Sequence, residues 1–332
     1  MQILFLTGHR KSGTTLLHKL FDGHPEINSY PVDIGLLYAY IPCHAGKLNE
    51  NDARERINAV IRKSTTYILG KRVSQARLEF DLEVFLSHFW HVGKSKDLTN
   101  ASAIVQALAE SWCEYAQLDP TLPFVVKETS QTIHARTMLA DGLQAKFIHI
   151  VRDPRDNYAA IKSGVANYYS KMGESELEAL ASVVNRARMD LMIAARLKAE
   201  SCSWFTSLRF EDLVSDSNST MTQLAEFCDI SFHTCLTQPT ILGQAFDGNS
   251  HEGERHSGIS NKNSGRWSER ISEFEVGVIE FWLSDVMRSW GYPLSLDSER
   301  AEAAYSQFYN WYNCRYFYRD SVAINRVSPA ST

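Results

Sequence analysis

The chain begins with a short apolar run, Ile3-Leu4-Phe5-Leu6, which breaks into Gly8-His9-Arg10-Lys11-Ser12-Gly13. It resumes as Thr14-Thr15-Leu16-Leu17-His18-Lys19-Leu20-Phe21, apolar on one helical face. A buried strand, a glycine-bounded turn and a helix start, in that order, fit few folds. Backbone N–H groups at such a helix start point into the turn, and the helix dipole favours negative charge there. The segment therefore reads as an anion cradle. Asp22-Gly23-His24-Pro25 stops the helix.

Further runs of the same kind follow. Phe124–Val126, Phe147–Val151 and Phe205–Leu208 read as buried strands. Asp52–Ile68, Ala101–Gln117 and Glu174–Glu200 read as amphipathic helices between them. Buried runs alternating with helices predict an α/β fold, a P-loop-type parallel sheet flanked by helices. The expected organisation is a single domain: a nucleotide-binding core over 1–239, a lid loop over 240–272 and C-terminal helices over 273–332. The lid expectation rests on Thr240–Ile271, a stretch rich in Gly, Ser, Asn and His and too long for an ordinary connection. Helical patterning returns over Glu273–Trp290. The aromatic-dense stretch Tyr305–Tyr318 reads as a helix packed on the domain.

With 332 residues, 44% of them hydrophobic, the chain can bury a large core, and a net charge of −5 gives it no overall attraction to nucleic acid. An anionic ligand needs a local basic pocket. The six cysteines are scattered and form no C-x-x-C pair, so they read as buried thiols rather than a disulfide framework. Met1 leads into an apolar run too short for a signal peptide, and no apolar stretch reaches membrane-spanning length. The expected location is cytoplasmic, without a membrane span.

The spacing of Gly8 and Gly13 is that of a Walker A loop, yet Thr14 stands where that loop needs lysine, and the lysine lies inside the turn at Lys11. The strand Phe147–Val151 ends in Arg152 rather than in an acid that would hold Mg²⁺. Asp153 can cap the helix that follows and Pro154 suits its first turn. Arg152 then stands at the carboxyl edge of the sheet, where open α/β folds bind ligands, with a guanidinium suited to phosphate. No metal-ligand cluster is legible; His251 and His256 lack the H-E-x-x-H spacing.

Lys11-Ser12-Gly13-Thr14-Thr15-Leu16 resembles the 5′-phosphosulfate loop of the sulfotransferase family. His24-Pro25-Glu26-Ile27 is similar to the sequence that follows it in the tyrosylprotein and bacterial branches. Arg152-Asp153-Pro154-Arg155-Asp156 resembles the family's 3′-phosphate motif, and Leu208-Arg209-Phe210-Glu211-Asp212-Leu213 a further strand end. Ser264-Gly265-Arg266-Trp267 is similar to the bacterial lid. The resemblance implies a PAPS-dependent enzyme (3′-phosphoadenosine-5′-phosphosulfate as sulfuryl donor) that needs no metal. Arg10, Lys11, Ser12, Gly13, Thr14 and Thr15 would hold the phosphosulfate, with Lys11 as the catalytic cation. Arg152 would hold the 3′-phosphate. The family places a serine eight residues after that arginine, where this chain has Ala160. Ser163, one turn on, and Arg266 are the candidates to compensate.

An acceptor hydroxyl or amine must lose a proton, so a general base is expected. Asp33 is the first candidate, beyond the first helix, with Glu128, His134 and His9 as rivals. The acceptor class stays open among small molecules, carbohydrates, lipids and peptides, and so does oligomerisation. Two other readings compete: a small-molecule kinase with an unusual P-loop, and a nucleotide-binding module without chemistry.

Overall fold

The computed structural model describes residues 1–35, 54–55, 57–59, 61–62, 80–165, 175–246 and 258–312. By its contacts the chain divides into two compact units. The first comprises Met1–Arg152 and Arg196–Asn261, and the second Asp153–Ala195 and Lys262–Thr332.

The first unit is built on a five-stranded sheet. Its strands are β1 (Ile3–Thr7), β2 (Asn28–Ser29), β3 (Phe124–Lys127), β4 (Ala145–Val151) and β5 (Phe205–Arg209), in the order β2-β3-β1-β4-β5. Every pairing is parallel. Strands covered on both faces need buried residues at successive positions, and β1 and β3 are buried throughout, whereas β5, at the end of the sheet, leaves Thr206, Ser207 and Arg209 half-buried. Leu4, Leu6, Val125, Ile148, Ile150 and Leu208 point into one core cluster. There they meet Leu17, Leu20 and Phe21 of α1 (Thr14–Phe21) and residues of a later helix, Ser217–Cys228. On alternate positions Phe5 stacks on Phe147 at 5.1 Å between centroids. α2 (Leu82–Gly93) and α3 (Ala101–Ala116) pack on each other, with Phe85 of α2 against Trp112 and Tyr115 of α3, and each is started by a side chain, Asp81 or Asn100, that accepts two backbone N–H groups. A short helix, α4 (Ala135–Ala140), follows β3.

The strand order matters for ligand binding. From β1 the chain goes first to β2 and β3 on one side, then crosses to β4 and β5 on the other. The crevice at the carboxyl end of β1 is therefore a topological switch point. Leu6 pairs with Lys127, Thr7 with His149 and Val151 with Arg209, so the segments leaving β1, β3, β4 and β5 emerge along one edge.

The second unit is helical: α5 (Pro154–Val165), α6 (Glu176–Ser182), a π turn over Val183–Ala187, α7 (Arg188–Ala199, of which the last four residues belong to the first unit), α10 (Glu273–Ser289) and α11 (Ser298–Tyr312). Here α8 (Phe210–Ser215) and α9 (Ser217–Cys228) are the intervening helices of the first unit. Charged residues, rather than apolar ones alone, join α5 to α10. Glu275, which closes the capping box at the start of α10, also accepts from Tyr158 at 2.6 Å and from Lys162 at 2.8 Å. Glu280, 1% exposed, accepts from Arg155 at 2.6 Å and from the backbone N–H of Leu296 at 2.9 Å.

The expected strands are all present, and Ala101–Ala116 and Glu273–Ser289 are helices as the periodicity predicts. The helix expected over Glu174–Glu200 is present from Glu176 to Ala199, with a π turn over Val183–Ala187 inside it. Of Asp52–Ile68, the described residues between 54 and 62 are helical and the rest lie outside the described residues. The polar stretch Thr240–Ile271 starts with a small hairpin, β6 (Thr240–Ile241) and β7 (Gln244–Ala245), and ends in a 3₁₀ turn over Arg266–Glu269. His251 and His256 lie outside the described residues. The aromatic C-terminal stretch is helical and packs on α10 as far as Tyr312, with Tyr305 stacked on Phe281 at 4.7 Å; Tyr316, Phe317 and Tyr318 lie outside the described residues. Among the described residues no helix is long and apolar enough to cross a membrane.

The Arg155–Glu280 pair gives a test of how the second unit is held. Removing one partner leaves the other charge buried, so Arg155→Ala should cost about 3–5 kcal/mol of stability in urea denaturation. A loss below about 1 kcal/mol, the worth of a surface pair, would show that the buried pair is not structural.

Candidate active site

The loop after β1 turns on three positive φ angles: Gly8 at 151°, Lys11 at 65° and Gly13 at 101°. Glycine is required at two of them on grounds of space as well. A Cβ on Gly8 would collide with the carbonyl oxygen of Ile150, and one on Gly13 with the ring of Phe210. Lys11 adopts the left-handed region despite its side chain, at a cost of about 1–2 kcal/mol. Ser12 closes the turn: its N–H and its hydroxyl both donate to His9 O, at 3.1 and 2.6 Å. Gly13 is the N-cap of α1 and offers no side-chain acceptor, so the first N–H groups of the helix face the turn without a capping oxygen. Ser12 and Thr14 are buried; Arg10, Lys11 and Thr15 are half-buried.

Arg152 follows β4 directly and is 8% exposed. Its Nη1 donates to Lys11 O at 3.0 Å. Its guanidinium lies 4.7 Å from the centroid of Phe210, the residue after β5. The same ring abuts Gly13, so one aromatic side chain supports both the loop and the arginine.

The segment leaving β3 runs beside the loop, with Glu128 N–H donating to Leu6 O and Ser130 N–H to Gly8 O. It carries two buried charges. Lys127, 2% exposed, donates to the Asp33 carboxylate at 2.6 Å. Glu128, also 2% exposed, accepts from Gly35 N–H at 2.6 Å and Thr129 N–H at 2.8 Å. Burial pushes the Glu128 carboxyl up to about 7; the Asp33 carboxylate adds to the rise, while Lys127 and the two N–H groups oppose it. His134 ends a 3₁₀ turn (Thr132–His134) one step further on, and His9 is buried within the loop.

The carboxyl edge of the first unit's sheet thus brings together Arg10, Lys11, Ser12, Gly13, Thr14, Thr15, Arg152, Asp33 and Glu128. Ser163 and Arg266 belong to the second unit. The Ser163 hydroxyl donates to Ala159 O at 3.0 Å, one turn back in α5. Arg266 opens the Arg266–Glu269 turn, its Nε 3.4 Å from the Glu269 carboxylate. That turn is fixed by Asp156, which accepts from Gly265 N–H at 2.6 Å and Trp267 N–H at 2.9 Å, and by Arg155, whose guanidinium lies 4.1 Å from the Trp267 centroid.

Sequence reasoning missed three parts of this arrangement. Lys127 is one, although a charged pair at the end of an apolar strand is a visible signal. Phe210 is another, supporting two phosphate-site candidates at once. The third is the use of Asp156 and Arg155, motif residues by position, as anchors of the Gly265–Trp267 turn.

A sequence profile described as the sulfotransferase family matches residues 4–234. No curated protein matches the chain. Among solved structures, the sulfotransferase domain from the curacin biosynthetic pathway is 18% identical and is aligned over 89% of this chain and 99% of its own, with a TM-score of 0.57. The sulfotransferase domain from the Synechococcus PCC 7002 olefin synthase is also 18% identical, over 89% and 96%, with a TM-score of 0.49. Retinol dehydratase in complex with androsterone and the inactive cofactor PAP is 13% identical, over 86% and 80%, with a TM-score of 0.46. The curacin-pathway likeness shows a shared α/β fold with a central parallel sheet flanked by helices. The profile spans well over half of the chain and takes in the Gly8–Gly13 loop and Arg152, and the chain therefore belongs to the sulfotransferase family.

Proposed function

We propose that this protein transfers the sulfuryl group of PAPS to a hydroxyl or amine acceptor. The observation that carries this reading is the loop itself: a glycine-shaped anion cradle at an uncapped helix start, with lysine inside the turn and threonine where a Walker loop has lysine. The residues suit a polyanionic nucleotide. The N–H groups of the first turn of α1 and the Thr14 and Thr15 hydroxyls would hold the 5′ end, aided by Arg10 and Lys11. Ser12 would act mainly through the turn it closes. Arg152 would take the 3′-phosphate. Ser163 and Arg266 remain candidates for what Ala160 does not supply, and Arg266, as a charged fork, is the stronger donor.

PAPS supplies an electrophilic sulfur and a phosphate leaving group, and the acceptor forms its bond to sulfur as the bridging oxygen departs. Lys11 would place its charge where that oxygen becomes negative. A carboxylate would take the acceptor proton. Asp33 is held in an ion pair with Lys127 and remains a candidate. Glu128 has the environment better suited to the task, because a base poised near neutrality can both accept and release a proton. No metal is needed in this scheme. Acceptors of the small-molecule, carbohydrate, lipid or peptide classes all fit it.

The test is transfer of radiolabelled sulfate from PAPS to an acceptor panel in excess EDTA. Labelled product is expected under chelation. Labelled phosphate transfer from ATP, dependent on Mg²⁺, would replace the proposal with the kinase reading. Lys11→Ala should lower kcat by about 10²–10³, as removal of one transition-state donor does, while affinity for PAP changes far less. A variant within about tenfold of wild type, roughly 1.4 kcal/mol, would remove Lys11 from the chemistry.

The base is assigned by pH. Below about 7 Glu128 carries its proton and cannot accept another, so kcat/KM should rise with pH through about 7. Stability runs the other way. A carboxyl raised from 4.5 in the folded state stabilises fully below 4.5, and that contribution is lost as pH rises through about 7. Glu128→Gln should abolish turnover and flatten this part of the stability profile. Near-normal turnover in Glu128→Gln together with loss in Asp33→Asn would make Asp33 the base.

A further inference from the structure

Arg152 touches the loop as well as facing the sheet edge. Its Nη1 donates to the carbonyl of Lys11, the residue that holds a left-handed backbone without being glycine. A charged donor on that carbonyl favours the peptide orientation the turn requires. The guanidinium rests over Phe210, and Phe210 fills the space beside Gly13, where α1 begins. The contacts therefore join the arginine to the lysine inside the turn and, through the ring, to the helix start that closes it.

We propose that Arg152 is a positioning residue for the 5′ anion cradle, in addition to the phosphate contact proposed above. A guanidinium has five N–H donors, so it can keep Lys11 O while a phosphate takes others. A 3′-phosphate bound at Arg152 would fix the guanidinium, and with it the carbonyl that sets the Lys11 turn. Recognition of the 3′-phosphate would thereby prepare the lysine at the 5′ end. The protein would select 3′-phosphorylated nucleotides through the shape of the loop as well as by direct contact. This proposal rests on the PAPS reading for its ligand, but not for the loop contact itself.

The test uses a nucleotide that lacks the group Arg152 is expected to bind. ADP carries a 5′-diphosphate and no 3′-phosphate; PAP carries both a 5′- and a 3′-phosphate. Calorimetric titration compares the two on wild type, Arg152→Ala, Arg152→Lys and Phe210→Leu. If Arg152 only binds the 3′-phosphate, Arg152→Ala weakens PAP and leaves ADP unchanged, and the proposal falls. If it also positions the cradle, Arg152→Ala weakens ADP by about tenfold, near the worth of one hydrogen bond from a charged donor, and PAP by more. Arg152→Lys, which keeps a charged donor, should recover part of the ADP affinity, and Phe210→Leu should weaken ADP in the same direction. Wild type that binds ADP but not PAP would remove the PAPS reading while the ADP comparison still judges the loop contact.

A second measurement needs no ligand. Trypsin cuts after Lys11, at the carbonyl that Arg152 holds, so Arg152→Ala should speed that cut by about tenfold through local opening. Cleavage after the exposed Lys198 should not change. Equal acceleration at both sites means that Arg152 merely supports the fold, and overturns the proposal; so does no acceleration at Lys11.

Discussion

The close approach of Gly8 to the Ile150 carbonyl is the constraint on which the site depends. No side chain fits between them, so the chain leaving β1 can fold back across the end of β4 only as glycine. That contact brings Lys11 within reach of Arg152 and starts α1 beneath the turn. Gly13 repeats the device against Phe210. Two absent side chains thus set the path of six residues, and the turn's own hydrogen bonds, from Ser12 to His9, complete it. Backbone amides do the anion binding in such a loop, which is why its shape matters more than the number of its charges.

Buried charge is the second theme of the structure. At the end of β3, Lys127 and Glu128 lie where solvent does not reach, and each is answered: Lys127 by Asp33, Glu128 by two backbone N–H groups. Desolvation still dominates at Glu128, which separates it from the more open Asp33. Two carboxylates beside one lysine in unlike environments can divide the work of holding charge and moving a proton. In the second unit, Glu275, Glu280 and Asp156 do structural work of the same kind, each accepting several donors at a helix or turn start. Charged motif residues are therefore not all ligands: Arg152 stands at the sheet edge, whereas Arg155, three residues on, is sealed against Asp153 and Glu280.

The fold was legible because its signal is local. Ile3–Leu6 and Phe124–Val126 are apolar at successive positions, as a two-sided parallel sheet requires, Phe147–Val151 is so but for His149, and the Gly8–Gly13 spacing located the cradle. What escaped depends on distant partners. Nothing in Leu208-Arg209-Phe210 reveals that the ring will meet Gly13 and Arg152, nearly two hundred and about sixty residues earlier in the chain. The relative merit of Asp33 and Glu128 was equally hidden, because burial, which sequence does not display, raises one of them. The π turn in Glu174–Glu200 escaped for a different reason: buried Leu180, Val183, Val184, Ala187, Leu191 and Ala194 keep helical spacing through it, so periodicity leaves it unmarked.

The central claim is that this loop holds a phosphosulfate nucleotide rather than a nucleoside triphosphate. Thermal melting of the whole chain in the presence of PAP, or of ATP with Mg²⁺, tests it most directly, since a ligand that binds only the folded state raises the melting point by mass action. PAP at saturating concentration should raise the melting point by several degrees, with ATP producing much less. Equal stabilisation by ATP, or none by PAP, would contradict the account.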